Sequence, residues 1–295
     1  MKTSEIEFST TRVALAPLLR KYTDGVDVRF WWLGQAGIAL NYKSTQILID
    51  PYLSDSLSEK YRDSEFKHLR MMPVPVAPEK IQGCKWCLCT HSHTDHMDPV
   101  TIRRLTQSSS PRFLVPRAEI ECGIQRGMPT NKVHGINAGE TLNLDDGIIV
   151  EAIASAHEHL EMDKQGDHKY LGYVIQLGKL RLYHSGDCIP YPGLARQLAD
   201  RHIDVAFLPI NGRDETRRAK GVPGNFTLDE AMELCRTTGV GQLVCHHFEM
   251  FDFNTIDRNE ARKALQQRAG TLAWLLPKTH VTYTIKPIST RNGMR

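Results

Sequence analysis

Thr90-His91-Ser92-His93-Thr94-Asp95-His96 is the stretch on which the reading of the fold turns. Three histidines and a carboxylate follow one another as His-x-His-x-Asp-His. The residues before it, Cys84 to Cys89, are mostly apolar, and Asp98-Pro99 opens a helical pattern after it. The cluster therefore sits where a buried strand gives way to a loop. Imidazole nitrogen and carboxylate oxygen are the ligand types of a catalytic divalent metal. In an extended segment residues i and i+2 point to one side, so His91 and His93 can grip one ion. The turn at Asp95-His96 can present a second pair to a neighbouring ion. A merely polar loop would have no reason for this order and spacing.

Upstream, Val28–Leu33, Ile38–Tyr42 and Ile47–Ile49 read as strands, joined through Gly34-Gln35-Ala36-Gly37 and ended by Asp50-Pro51. Residues 12–22 read as a short helix interrupted by Pro17, and residues 1–25 as an N-terminal appendage. Residues 54–80 read as an irregular insertion, since Pro73, Pro75 and Pro78 exclude helix over that run. A rim or lid over the metal site and a subunit contact are both open for it.

Downstream, Pro99–Thr106 and Glu119–Arg126 read as helices around the strand Phe113–Pro116. Short strands follow at 132–137 and 140–144. Ile148–Ala154, Leu171–Leu177, Lys179–Tyr183, Val205–Leu208 and Leu243–Cys245 read as strands, with final ones at 273–276 and 281–285. Leu194–Ala199, Thr227–Thr237 and Arg258–Gln267 read as helices, the second opened by a capping box of Thr227 and Glu230. No low-complexity tract or charge run divides the chain, so 1–295 reads as one domain.

The composition is that of a globular protein, with 41% hydrophobic and 24% charged residues. A net charge of +3 is too mild to argue for nucleic acid. No run approaches the roughly 18 apolar residues of a membrane span, and the first residues hold no apolar signal core. A soluble, cytoplasmic protein is expected. The seven cysteines lie mostly in apolar runs, as reduced buried thiols do. Cys84-x-x-Cys87-x-Cys89 lacks the second pair that would complete a metal knuckle.

Three later strand ends carry ligand types. His157 is the first histidine out of its strand, ahead of His159. Asp187 follows Ser185-Gly186. His246 and His247 are adjacent, so in an extended strand they face opposite ways and spacing leaves the choice between them open. If strands converge at one edge, these ends meet His91–His96 in space. His91, His93 and His157 would hold one metal, and Asp95, His96 and one of the last pair the other, with Asp187 bridging. His184 suits a supporting role behind a ligand.

These motifs resemble the metallo-β-lactamase superfamily. Trp32-Leu33-Gly34-Gln35-Ala36-Gly37, Leu48-Ile49-Asp50-Pro51-Tyr52, Tyr183-His184-Ser185-Gly186-Asp187, Leu208-Pro209-Ile210-Asn211-Gly212-Arg213 and Cys245-His246-His247-Phe248-Glu249-Met250-Phe251 are similar to its UlaG-like, L-ascorbate-6-phosphate lactonase-like branch. The resemblance implies an α/β (α+β type) fold, an αββα four-layer sandwich with a binuclear site at one edge. It implies Zn²⁺ or Mn²⁺, often an oligomer, and His247 as the final ligand. The ligand types would also accept Fe²⁺.

The expected activity is hydrolysis of a lactone or ester of a small phosphorylated or acidic substrate, through a hydroxide bridging two cations. Asp95 would orient that hydroxide and pass a proton to the leaving oxygen. Asn211, Arg213, Asp214 and Tyr191 are the candidate substrate-binding residues, with Arg213 suited to a forked contact with an anion. Arg217, Arg218 and Lys220 extend the positive charge, and His168-Lys169 are weaker candidates. A phosphodiesterase of the N-acyl phosphatidylethanolamine phospholipase D type, or a nuclease, is the alternative, and a non-catalytic metal-binding protein a third reading. Without a basic stripe, nucleic acid is not the expected substrate, and no membrane partner is expected.

Overall fold

The computed structural model describes residues 4–10 and 14–287. Alternation along single strands accounts for its layers. In the strand Val28–Gly34, Phe30 and Trp32 point one way, into a core shared with Tyr173, Leu182 and Phe207 of a second sheet. Trp31 and Leu33 point the other way, onto Leu15 and Leu18 of the helix Leu15–Leu19 and Ile102 and Leu105 of the helix Pro99–Ser108. A sheet covered on both faces has apolar residues at nearly every position, as Val28–Gly34 does. On the far side of the second sheet lie the helices Leu194–Ala199, Leu228–Thr238 and Arg258–Arg268. The layers run helix, sheet, sheet, helix.

The first sheet has eight strands in the order Ser4–Thr10, Val281–Pro287, Val28–Gly34, Gly37–Tyr42, Thr45–Ile49, Cys84–Leu88, Arg112–Pro116 and Val133–Ile136. Pairing is antiparallel as far as Thr45–Ile49 and parallel beyond it. The second has seven, in the order Ala273–Leu275, Gln242–His246, Val205–Pro209, Leu180–His184, Leu171–Leu177, Ile149–Ala154 and Thr141–Asn143. Its first four strands are mutually parallel. Two antiparallel steps, through Leu171–Leu177, return Ile149–Ala154 to the direction of Leu180–His184. Thus the strands leading to His157, Asp187 and His247 all end at one edge. In open α/β sheets that carboxyl edge is where ligands bind.

Local chemistry sets the element ends. Asp98 caps the helix Pro99–Ser108, accepting from the amides of Val100 and Thr101, with proline at the first helical position. The Thr227–Glu230 capping box is formed, and Gly239 closes that helix with φ of 72°.

The N-terminal segment is built into the sheet. Ser4–Thr10 pairs antiparallel with Val281–Pro287, and Leu15, Leu18 and Leu19 are buried. Pro17 does not interrupt the helix Leu15–Leu19: it lies in the first turn, where no amide donor is needed. Residues 12 and 13 of the expected helix lie outside the described residues. The 54–80 insertion contains a helical turn, Ser56–Lys60, before its irregular run and a 3-10 turn, Pro78–Lys80, at its end, where proline takes the first position. A short helix over Glu215–Ala219, capped by Asp214, occupies the stretch read as a basic loop. All seven cysteines are unpaired, and all but Cys122 are buried. No helix among the described residues is long and apolar enough to cross a membrane.

Candidate metal centre

The expected residues converge. His91, His93, His157 and Asp187 form one group, and Asp95, His96 and His247 a second, each with potential ligand atoms within 4.8 Å of one another. Asp187 touches both groups. Its Oδ1 lies 3.2 Å from His96 Nε2, while its Oδ2 lies 3.2 Å from His247 Nε2 and 3.4 Å from His157 Nε2. Asp95 Oδ2 lies 3.7 Å from both His96 Nε2 and His247 Nε2.

Three of the histidines are held in one tautomer from behind. His96 Nδ1 donates to Asp50 Oδ2 at 2.8 Å, and His157 Nδ1 to the carbonyl of Gly224 at 2.9 Å. The Thr90 hydroxyl donates to Asp50 at 2.6 Å, so its oxygen accepts from His91 Nδ1 at 3.1 Å. Each bond leaves an Nε2 lone pair aimed inward, as a metal-binding imidazole requires. His91 Nε2, His96 Nε2 and Asp187 Oδ1 have no hydrogen-bond partner although they are buried. Buried polar atoms without partners are costly, and a cation in each group would satisfy them. On this ground the donor set fits divalent metal.

The electrostatics agree. Burial raises the cost of charge on Asp187, but His247 and His96 outweigh it and hold its carboxyl well below the usual range. Burial likewise opposes charge on His96, but Asp187, Asp50 and Asp95 hold its pKa well above the ordinary value. His91 is pushed well below by burial, aided by His96 and His93. His93 falls to about 4, chiefly through burial. Asp50, Asp95 and Asp187 thus concentrate negative charge around His96 and favour an extra proton there, while His91 and His93 stay neutral, the environment in which a cation replaces a proton.

Backbone strain marks the same edge. Asp50 and His247 have φ of 45° and 58°, in the left-handed region that side chains rarely adopt. Asp50 enters after Thr45–Ile49 and His247 after Gln242–His246, each at a strand end.

The centre floors a cavity of about 580 Å³. His93, Asp95, His157, Asp187 and His247 face it from below. Opposite stand Lys60, Tyr61, Phe66 and His68 of the insertion, with Lys220, Phe253 and Asn254. Phe66 stacks on Phe253 at 4.5 Å, and Tyr61 on His68 at 4.2 Å. Lys220 pairs with Glu65 across the mouth. Arg126 lines the cavity and donates to the carbonyl of Met97 at 2.7 Å.

None of the four expected substrate residues lines this cavity. Arg213 makes a forked bond to Glu230, at 2.6 and 2.7 Å. Asp214 caps its short helix and pairs with Arg217. Tyr191 donates to the carbonyl of Ala154 at 2.6 Å. Asn211 is buried and donates to Asn254 Oδ1 at 2.7 Å, reaching the cavity only through that neighbour. Of the basic run, Lys220 lines the cavity, while Arg217 supports Asn254 from behind at 2.8 Å. His184 stacks on His246 at 4.8 Å, behind the centre. Asp50, Lys60, Tyr61, Phe66, Arg126, Phe253 and Asn254 were not anticipated as site residues. For Asp50 the available signal was its place at a strand end, the same signal that marked His157.

The beta-lactamase superfamily domain matches residues 45–248, a span that holds both groups. A UPF0173 metal-dependent hydrolase of Pyrobaculum islandicum is 28% identical over 183 residues, 61% of this chain and 70% of the relative. One of Azorhizobium caulinodans is 27% identical over 192 residues, 63% and 74% of the two. Among solved structures, a possible metal-dependent hydrolase of Veillonella parvula superposes with a TM-score of 0.69 at 18% identity, covering 86% of this chain and 98% of that one. An isothiocyanate hydrolase from Delia radicum gut bacteria gives 0.67, also at 18% identity, with the same 86% and 98% coverage. These two show the same fold.

Proposed function

This chain belongs to the beta-lactamase superfamily as a metal-dependent hydrolase, and from that premise we propose that it opens a lactone or ester of a small anionic substrate, with two divalent cations, Zn²⁺ or Mn²⁺, at its centre. The observation that carries the reading is Asp187, whose two oxygens reach into both ligand groups at the floor of one cavity. His91, His93 and His157 would hold one cation and Asp95, His96 and His247 the other, with Asp187 shared. Such a pair supplies Lewis acidity and a water that ionises near neutral pH.

The chain's own groups supply the rest. Asp95 faces the cavity beside the centre, where a carboxylate can hold a proton for the leaving oxygen. Lys60, Arg126 and Lys220 offer positive charge to an anionic group. Tyr61, Phe66 and Phe253 cover an apolar portion and displace water from it. The resemblance of its motifs to the lactonase-like branch supports a cyclic ester among the candidates.

The test pairs metal analysis with a substrate panel. Protein purified in metal-poor buffer and reloaded should carry about two ions per chain. It should turn over sugar-phosphate lactones or acidic aryl esters faster than bis-p-nitrophenyl phosphate or isothiocyanates. A folded protein that takes up no metal ends the enzyme reading. Preference for the phosphodiester redirects the substrate class.

A further inference from the structure

Gln35 occupies the turn between the strands Val28–Gly34 and Gly37–Tyr42, and it is fully buried. Its backbone is left-handed, with φ of 50°. Two bonds pin it: its carbonyl accepts from the amide of His247 and from the indole of Trp32, each at 2.9 Å. The turn is thereby tied to the final strand end, and the Gln35 amide enters the second ligand group. Its Nε2 lies 2.8 Å from Asp95 Oδ2 and 3.0 Å from His247 Nε2, and its Oε1 has no partner. Gln35 does not line the cavity, so direct substrate contact is not its role.

A purely structural amide would be badly placed here. One N–H serves Asp95 and the other takes up the His247 lone pair that a metal needs, while the oxygen stays buried and unpaired. Half a turn about the terminal bond exchanges nitrogen and oxygen at nearly the same positions. We propose that Gln35 Oε1 is a further ligand of the cation held by Asp95, His96 and His247, completing a coordination shell of more than four atoms. The proposal rests on the two-metal reading above.

The separations favour it. On a shell of about 2.1 Å, ligand atoms at right angles lie about 3.0 Å apart, and those at 120° about 3.6 Å. Asp95 stands 3.7 Å from His96 and from His247, a girdle spacing. Asp187 reaches the same two nitrogens at 3.2 Å, His96 through Oδ1 and His247 through Oδ2, and the Gln35 amide nitrogen lies 2.8 and 3.0 Å from Asp95 Oδ2 and His247 Nε2, all near the right-angle value. A neutral oxygen donor added to nitrogen and carboxylate moves the site toward harder, higher-coordinate ions, so Mn²⁺ or Fe²⁺ gains on Zn²⁺ there.

Cobalt titration of the whole protein tests this without turnover. In the wild type, two equivalents of Co²⁺ should bind, and the second should show the weak visible bands of five- or six-coordinate ion. In Gln35→Met, of similar length, and in Gln35→Ala, the second equivalent should bind about tenfold or more weakly, with more intense bands, while the first is unchanged. Mn²⁺ should lose more affinity than Zn²⁺. Intense four-coordinate bands for the second ion in the wild type overturn the proposal, whether or not the variants fold. So do variants with wild-type affinity and spectrum, which would leave Gln35 as a donor that only orients Asp95. Failure of the wild type to bind a second equivalent refutes the two-metal reading itself.

Discussion

At the floor of the cavity His96 is held by Asp50 at 2.8 Å, and Asp50 is held in turn by the amide and hydroxyl of Thr90 at 2.8 and 2.6 Å, all of it buried. At the roof Phe66 rests on Phe253 at 4.5 Å, and Lys220 meets Glu65 in solvent. Directional bonds among buried groups leave each of these floor atoms one position. Ring contacts and an exposed ion pair allow the roof several positions of similar energy. The contrast assigns the chemistry to the floor and the choice of substrate to the roof. The roof is still rooted firmly: Ser54 and Ser56 both donate to Asp98 at 2.7 Å, and Arg70 lies over the Tyr52 ring at 4.9 Å.

The largest effect belongs to Asp187. Asp187→Ala removes the one carboxylate that reaches both groups and should lower kcat/KM by about 10³-fold or more, with metal content falling below two ions per chain. Undiminished turnover would refute its shared role. Next comes Asp50→Asn, which exchanges an acceptor for an amide facing His96 Nδ1 or Thr90. Metal affinity should drop about 10- to 100-fold, read by competition with a chromogenic chelator, while the cavity and KM change little. An affinity equal to that of the wild type would show that the floor does not depend on its backing bonds.

How far the sequence discloses each region follows from the same contrast. Most floor ligands are written as spacing: His91 to His96 is contiguous, and His157 and Asp187 each follow an apolar strand, so type and position are readable together; at the last strand end spacing leaves His246 and His247 open, and the fold brings His247 to the second group. Asp50 and Gln35 were visible as strand-end and turn residues, but their partners are not local. Gln35 reaches His247 across 212 positions, and no periodicity encodes that contact. The roof is harder still. Tyr61, Phe66 and His68 stand singly in a charged stretch, and they become one surface only when Phe251 and Phe253 are brought alongside. Arg213 shows the opposite error. Its place after a strand suggested anion binding, yet Glu230, already named by the capping box, takes the guanidinium. A residue with two duties is legible from sequence in only one of them.

Phe66→Ala probes the roof without touching the floor. An aromatic pair is worth about 0.5–1.5 kcal/mol beyond its buried area, so KM for a substrate with an apolar portion should rise roughly two- to tenfold. Metal content and the Co²⁺ spectrum should be those of the wild type. A change in either would mean that the insertion supports the centre as well as covering it.

The smallest effect is expected for Glu65→Gln. Glu65 and Lys220 are largely exposed, so the pair contributes at most about 1 kcal/mol and the melting temperature should hardly move. The consequence lies in charge: the substitution leaves Lys220 unneutralised at the cavity mouth, also near the Phe66 ring at 5.6 Å. KM for an anionic ester should fall about twofold at low ionic strength, and KM for a neutral ester should stay fixed. At 1 M salt, where the screening length is about 3 Å, the difference should vanish. A fall in KM of equal size for both esters, surviving high salt, would instead show that breaking the pair loosens the mouth mechanically. The roof would then select by access rather than by charge.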